Sequence, residues 1–346
     1  MSFWDVIIAG AGLAGIATAL ELRERRASVL VLERGEAGRE ASSAAAGMLA
    51  ATDPETPPAL RAMALQSAHI YPGFVEKLER SAGIEVDFRR QGTLVLGEKS
   101  PPANYQPLSP NQLQRIEAGV QAQGLPAFLV EEDSVDPVLL MRAAIRAAEL
   151  AGIEIRTKIT VQQMHWTGNQ VEVTTDKGAL SAQSAVNCMG AWSGDPVRPR
   201  KGQMLYLEPA KAGVLQHVVR APEAYIVPRS SGKILVGTTV EDVGFDKSVR
   251  PETIQGMHHA AIRYVPELAA ANVTETWAGL RPGSPDDLPL IGPTSERNVF
   301  VASGLFRNGI LLAPLAAKVT ADLVMGRQPE IDISAFAPAR FAANRT

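Results

Sequence analysis

The feature that most constrains the fold is the stretch "DVIIAGAGLAGIATALELRERRASVLVLERGEAG", Asp5 to Gly38. Val6 to Ala9 are a short apolar run suited to a buried parallel strand. Gly10, Gly12 and Gly15 then give the spacing GxGxxG. Leu13 to Arg25 show a helical pattern, with Ile16, Ala17 and Leu20 on one face. Ser28 to Leu32 form a second strand, and Glu33 closes it. Strand, glycine turn, helix, strand and acid occur in the order of a βαβ dinucleotide fingerprint. In that pattern Gly10 makes the tight turn, Gly12 lets a pyrophosphate approach the backbone, and Gly15 lets helix and strand pack closely. The unpaired N–H groups of the helix start face the phosphates. Glu33 is placed to accept from ribose hydroxyls, which suits a free 2′-hydroxyl and leaves NAD and FAD as the nucleotides.

Bulk properties narrow the rest. A chain of 346 residues is too long for one small core and points to two domains, or one with an insertion. The net charge of −3, with no long basic run, argues against nucleic acid. A single cysteine, Cys188, excludes a disulfide framework and a cysteine-rich metal site. That fits a reducing cytoplasm. Cys188 reads as a small buried group inside a strand. The five histidines are scattered, so no metal is expected. The apolar N-terminus lacks a basic lead and contains Asp5, so neither a leader nor a membrane span is expected.

Along the chain, "GREASSAAAGMLA" (Gly38 to Ala50) offers small side chains. They would let a planar ligand lie on the backbone, or would simply pack a helix start. Thr52 to Pro58 is a proline-rich break. Leu60 to Ala82 reads as a helix, kinked or interrupted at Pro72-Gly73. "FRRQGTLVLGE" reads as one strand, Ser100 to Pro110 as loop, and "NQLQRIEAGV" as a short helix. Asp136 caps a helix with Pro137 at its first position. A hairpin follows, "IEIRTKITVQQMHW" against "QVEVTTD", and then a strand ending at Gly190. From Arg200 the pattern is antiparallel β, followed by a helix over Arg250 to Leu268. "NVFVASG" is a last strand and "LFRNGILLAPLAAKVTADLVMG" a long helix. The fold class is α/β: a Rossmann-like nucleotide domain with an inserted substrate domain of antiparallel sheet plus helices. The division is 1–50, 134–197 and 272–346 for the first, and 51–133 and 198–271 for the second.

Within "GLRPGSPDDLPLIG" (Gly279 to Gly292) stands Arg281, among glycines, prolines and apolar residues. Arginine keeps its charge in proteins, so it needs water or an anion. Residue type alone leaves a surface ion pair and a ligand site both open.

Taken in order, several segments resemble the FAD-dependent amino-acid oxidase family of the D-amino-acid oxidase type, and within it the glycine-oxidase branch. They are "GAGLAG" with Glu33, "SSAAAGML" at Ser42 to Leu49, "VNCMGAWS" at Val186 to Ser193, "KGQ" at Lys201 to Gln203, "YIVPR" at Tyr225 to Arg229, "WAGLRPG" at Trp277 to Gly283, and "FRNGILLAP" at Phe306 to Pro314. The resemblance covers most of the chain. It implies non-covalent FAD, because "GLRPGSPDDLPLIG" lacks the flavin-linking cysteine of sarcosine-type relatives. It implies that Arg281 binds a substrate carboxylate through a planar two-point fork, that Tyr225 is a second donor, and that Arg307 lies at the flavin edge. Arg307 could instead pair with Asp286 or Asp287, and Tyr225 could simply pack in the sheet. Met48 and Val240 would line the substrate pocket. Val240, smaller than the residue glycine oxidases tend to carry there, would widen it.

The implied cofactor residues are Gly10, Gly12, Leu13, Ala14, Gly15, Glu33, Arg34, Ser42, Ser43, Ala46, Gly47, Met48, Gly190, Trp192, Arg281, Arg307, Asn308, Gly309, Ile310 and Leu311. The implied chemistry is oxidation of glycine or a small amino acid by hydride transfer to flavin. O2 reoxidises the flavin to give hydrogen peroxide, and the imine hydrolyses to a keto acid and ammonia. D-amino-acid or sarcosine-type substrates, and a dehydrogenase, are the alternatives within the class. A homo-oligomer and a place in thiamine synthesis are likewise implied by the resemblance only.

Overall fold

The computed structural model describes residues 3–97 and 105–344. The elements of the first half are β1 (Trp4–Ala9), α1 (Leu13–Glu24), β2 (Val29–Glu33), α2 (Ala41–Ala44), α3 (Pro58–Ala82), β3 (Phe88–Arg89), β4 (Thr93–Leu96), α4 (Pro110–Ile116), β5 (Ala127–Val130), β6 (Ser134–Val135) and α5 (Pro137–Leu150). Those of the second half are β7 (Glu154–Thr157), β8 (Val161–Trp166), β9 (Val171–Thr175), β10 (Gly178–Asn187), β11 (Arg198–Glu208), β12 (Val218–Ala221), β13 (Ala224–Pro228), β14 (Ile234–Gly237), α6 (Pro251–Tyr264), β15 (Asn272–Gly283), β16 (Leu290–Pro293), β17 (Val299–Ser303) and α7 (Gly309–Val324). Part of the loop expected over Ser100 to Pro110 lies outside the described residues.

One sheet runs in the order β16-β17-β10-β1-β2-β7, with the β8–β9 hairpin attached through β9 to β10. β1 pairs in parallel with β2 and β10, and β10 with β17. The apolar run of β1 is continuous because both faces are covered. Val6 and Ile8 pack beneath α1, α3, α5 and α7, whereas Ile7 packs with Val171 and Val173 of the hairpin. The second sheet, β15-β11-β14-β13-β12-β4-β5, is antiparallel except for the β12–β4 pair. α6 covers one of its faces. The opposite face, through Val227 and Tyr225, packs with Ala46 and Met48 of the first unit.

Several expectations need correcting. Pro72-Gly73 does not break α3, which runs unbroken from Pro58 to Ala82. α3 also packs into the core of the parallel sheet through Leu60, Met63 and Tyr71 rather than into the substrate layer. "IEIRTKITVQQMHW" is two strands: β7 extends the parallel sheet beside β2, and only β8 forms the hairpin. "FRRQGTLVLGE" likewise divides into β3 and β4, which pair in different sheets. Cys188 lies one residue beyond β10, where its N–H donates to Ala9 O at 2.8 Å.

Residues 272–283, grouped by sequence with the nucleotide unit, form β15 of the second sheet and pair with β11 along their length. Arg281 therefore stands on a strand, paired with Arg200 of β11. Proline and glycine at 282 and 283 obscured the strand because both are depleted in sheets; Gly283 is tolerated because the Arg200 side chain lies where its Cβ would stand, at 2.8 Å. Asp136 caps α5 as expected, accepting from the N–H groups of Val138 and Leu139 at 2.8 and 3.1 Å.

Candidate active site

The carboxyl ends of β1, β2, β10 and β17 all open onto one cavity of about 710 Å³, lined by Gly10, Glu33, Met189 and Ser303 among others. β1 sits where the strand order turns back, and the crevice beyond such a point is where open α/β sheets bind ligands. Gly10 has φ +104°, and a Cβ there would stand 2.3 Å from Cys188 O. A Cβ on Gly15 would stand 2.0 Å from Gly10 O. These contacts let β1, α1 and the end of β10 close around a turn whose backbone faces the cavity. The Glu33 carboxylate is held from both sides, accepting from Ala11 N at 2.9 Å and Gly35 N at 2.8 Å. Ser42 Oγ accepts from Leu13 N at 2.9 Å, tying the small-residue stretch to the first turn of α1.

That stretch is stapled down by the second sheet. Trp277 Nε1 donates to Ala44 O at 3.1 Å. The buried Arg229 donates to Ala46 O at 2.7 Å and to Val135 O at 3.0 Å. Gly47, at φ +77°, has no room for a Cβ, which would stand 1.9 Å from Val135 O. Gly279 is small because Ala44 Cβ would lie 2.8 Å from any side chain there. Gly279, two residues before Arg281, thus serves this close approach. The result is a wall of backbone and methyl groups, suited to a large planar ligand. Across the cavity α7 begins at Gly309, its first turn pointing inward with Asn308 and Ile310. A helix start carries a partial positive charge. Together, the phosphate-facing turn, the ribose-facing acid, the flat wall and the helix start fit a flavin dinucleotide.

The substrate end lies under the second sheet. Arg281 leaves β15 and lies across β11, where a Cβ on Gly202 would stand 2.2 Å from its Nη1. Its Nη2 donates to Thr238 Oγ1 at 2.7 Å and its Nη1 to Thr239 O at 3.1 Å. Among the described residues no carboxylate pairs with it. Two of five N–H donors are engaged, and the rest of the fork borders the cavity. Tyr225 stands on β13 over Gly237, whose Cβ would meet its ring at 2.6 Å, and it too lines the cavity.

Most residues singled out in sequence converge here: Gly10, Gly12, Leu13, Ala14, Glu33, Arg34, Ser42, Ala46, Gly47, Met48, Gly190, Trp192, Tyr225, Arg281, Arg307, Asn308, Gly309 and Ile310 all line the cavity. Arg34 lies over the Trp192 ring, 3.5 Å from its centroid. Gly15, Ser43 and Leu311 do not line the cavity; Leu311 is a core residue whose carbonyl accepts from Ser67 Oγ at 2.6 Å. Val240 is 52 % exposed and does not line the cavity, because the chain turns it outward between Thr239 and Glu241. The inference of a pocket widened by Val240 therefore falls. Arg307 pairs with Glu55 and approaches Asp53 at 3.8 Å, not Asp286 or Asp287. Asp286 is held by Arg340. Thr238, Thr239, Gly202 and Arg229 were missed. Only "KGQ" and "YIVPR" flagged their neighbourhood, and the threonines act through one hydroxyl and one carbonyl, which spacing does not reveal.

The family model described as FAD dependent oxidoreductase (DAO) matches residues 5–323. The bifunctional protein ThiO/ThiG of Synechocystis sp. is 36% identical over 97% of this chain. The chain spans about half the length of that relative, 54%. A glycine oxidase of Pseudomonas putida is 32% identical, covering 96% of this chain and 98% of its own. The crystal structure of glycine oxidase from Geobacillus kaustophilus superposes with a TM-score of 0.92 at 30% identity, over 97% of this chain and 98% of that one.

Proposed function

The chain belongs to the FAD-dependent oxidoreductase family, and from that premise we propose that it oxidises glycine or another small α-amino acid, with dioxygen as the final electron acceptor. The observation that carries the substrate class is Arg281: a fixed charge at the cavity wall, braced by two neutral acceptors and paired with no carboxylate among the described residues. A substrate α-carboxylate supplies the missing anion, held at two points by the fork. The overall reaction takes amino acid, O2 and water to 2-oxo acid, ammonia and H2O2.

FAD, when bound, supplies the two-electron acceptor for the substrate's Cα–H bond. The Gly10–Gly15 turn and the start of α1 would hold its pyrophosphate, Glu33 its ribose, and the wall from Ala44 to Met48 with the start of α7 its rings. The task of the side chains is positional: Arg281 and Tyr225 orient the carboxylate, and Met48 helps exclude water. No side-chain acid or base is required at Cα. Cofactor attachment is non-covalent in this reading. Cys188, the single cysteine, is buried, and burial pushes its thiol up to about 12. Similarity to the ThiO/ThiG protein further supports a role in thiamine synthesis.

The test is an absorption spectrum of the purified holoenzyme, followed by anaerobic addition of glycine, sarcosine and D-alanine in turn. Bleaching of the flavin bands by glycine, and their return with H2O2 on admitting air, is the expected result. Bleaching by sarcosine or D-alanine alone moves the substrate within the class. A flavin that none of the three reduces overturns the amino-acid reading.

A further inference from the structure

Lys201-Gly202-Gln203 lies in β11 beneath Arg281, yet of the three only Gly202 has been given a role. The Lys201 side chain is 0% exposed. Its Nζ lies 2.9 Å from Asp246 Oδ2, 3.5 Å from Ser248 Oγ and 3.9 Å from Glu241 Oε2. Its backbone exchanges two hydrogen bonds with Glu241, each 2.9 Å. Gln203, also buried, donates through Nε2 to Glu241 Oε1 at 2.7 Å and accepts from Arg250 N at 2.7 Å. Its own N–H donates to Thr239 Oγ1 at 3.1 Å, and Thr239 Oγ1 donates to Glu241 Oε1 at 2.6 Å.

Apart from the bond from Arg250 N, these contacts fasten one segment, the strap that continues β14 from Thr238 to Ser248. Met204 pairs with Gly237, and Lys201 pairs with Glu241. Three strap residues, Thr238 to Val240, therefore stand opposite two of β11, Gly202 and Gln203. The surplus residue makes a bulge. That bulge presents Thr238 Oγ1 and Thr239 O to the Arg281 guanidinium. The strap is further attached by Phe245 stacked on Trp192, Lys247 paired with Glu40, Asp242 at 3.8 Å from Arg200 and Glu241 at 3.9 Å from Arg250, each contact involving at least one exposed side chain.

Burying an ammonium costs several kcal/mol, and a buried ion pair can often be replaced by apolar residues without loss of stability. Folding alone therefore does not call for a lysine at this position. We propose that Lys201, acting through Glu241 and Asp246, is a positioning residue for the substrate carboxylate: it locks the strap whose bulge aims the Arg281 fork. The motif then divides its labour. Lys201 and Gln203 hold the strap, and Gly202 leaves the space through which the guanidinium reaches it. This inference rests on the reading of Arg281 as the carboxylate anchor. Asp246 is held well below the usual carboxylate range, first by its hydrogen bond from Lys201, consistent with a contact formed in the folded protein.

The test uses holoenzyme variants and glycolate, a small carboxylate without an amine, read by perturbation of the flavin spectrum. Lys201→Met and Asp246→Asn are expected to weaken glycolate roughly 3- to 30-fold, with the same loss appearing in KM for glycine rather than in kcat. Lys201→Arg is expected to recover most of it. Asp246 is 43% exposed on the strap, so its variant decides the matter if Lys201→Met does not fold. A lowered Tm with an unchanged glycolate Kd in Asp246→Asn would make the lysine merely structural and overturn the proposal. Arg281→Leu is the control. If it binds glycolate like the wild type, the anchor reading beneath the proposal fails. If it loses glycolate while Lys201→Met and Asp246→Asn do not, the proposal alone fails.

Discussion

The two ends of the cavity are built from different material. At the dinucleotide end the contacts, apart from the Glu33 carboxylate, are main chain: the Gly10 turn, the start of α1, the Ala44 to Gly47 wall and the start of α7. At the substrate end they are side chains, Arg281 and Tyr225, borne on strands and aimed by a bulge. A backbone site tolerates no change of shape but is indifferent to most distant side chains. A side-chain site tolerates small shifts of shape but depends on what stands behind each group. Similar lesions placed at the two ends should therefore fail differently.

The largest effect is expected from Gly10→Val. Its Cβ would meet Cys188 O at 2.3 Å and its φ of +104° is hostile to a branched residue. The atoms it meets are main chain and cannot swing aside. Purified protein should contain no FAD and should not be reconstituted by it; a yellow Gly10→Val protein would break the distinction. Next comes Arg281→Leu. Losing one partner of a buried charge pair costs roughly 2–5 kcal/mol, on the order of 30- to several-thousand-fold in kcat/KM. FAD content should stay at the wild-type level, and unchanged kinetics on a carboxylate substrate would remove Arg281 from the site. Gly202→Ala is the informative counterpart of Gly10→Val. The three atoms nearest its Cβ all belong to the Arg281 guanidinium, the closest at 2.2 Å. The arginine can move, so the protein should fold and keep FAD, while carboxylate affinity falls about 10- to 100-fold, within the range for a disturbed charged hydrogen-bond pair. Loss of FAD in that variant would mean that the two ends are not separable.

The same division decides what was legible in the sequence. A main-chain site leaves glycines at fixed offsets, and Gly10, Gly12, Gly15 and Glu33 announced strand, turn, helix and acid before any coordinates. Alternation likewise announced β11 to β14. β15 was hidden by Pro282 and Gly283, residue types depleted in sheets, although β11 pairs with both. The partners of Arg281 were hidden more deeply. Thr238 and Thr239 lie one and two residues beyond β14, and nothing local distinguishes a threonine that accepts from an arginine some forty positions away. Arg307 shows the same limit. Its ion pair with Glu55 spans 252 positions, whereas the acids considered for it were close in sequence. Local pattern reports which elements form, and long-range pairing reports which side chains meet.

Tyr225→Phe probes the substrate end more gently. Among the described residues the hydroxyl has no protein partner, and its ring is seated by the absence of a Gly237 side chain. The ring should remain in place and only one hydrogen bond to the carboxylate should go. A loss of roughly 1–3 kcal/mol in kcat/KM is expected, with FAD binding unaffected. A variant matching the wild type would reduce Tyr225 to packing.

The smallest effect is expected at Cys188, which borders the cavity at its dinucleotide end and tests whether a reactive side-chain type matters there. Its N–H belongs to the main-chain framework through Ala9 O, and its Cβ packs 3.3 Å from the place a Gly15 side chain would take. Burial pushes the thiol up to about 12, with a hydrogen bond involving Thr18 opposing the shift. The nucleophile in alkylation is the thiolate. At pH 8 almost none is present, and the sulfur is also screened from reagent. Iodoacetamide should therefore leave the folded holoenzyme unmodified by intact mass and label it once after denaturation, and Cys188→Ala should cost little beyond the small cavity it leaves. Rapid labelling of the folded holoenzyme would show that the wall at this end opens, and that its side chains count for more than its backbone suggests.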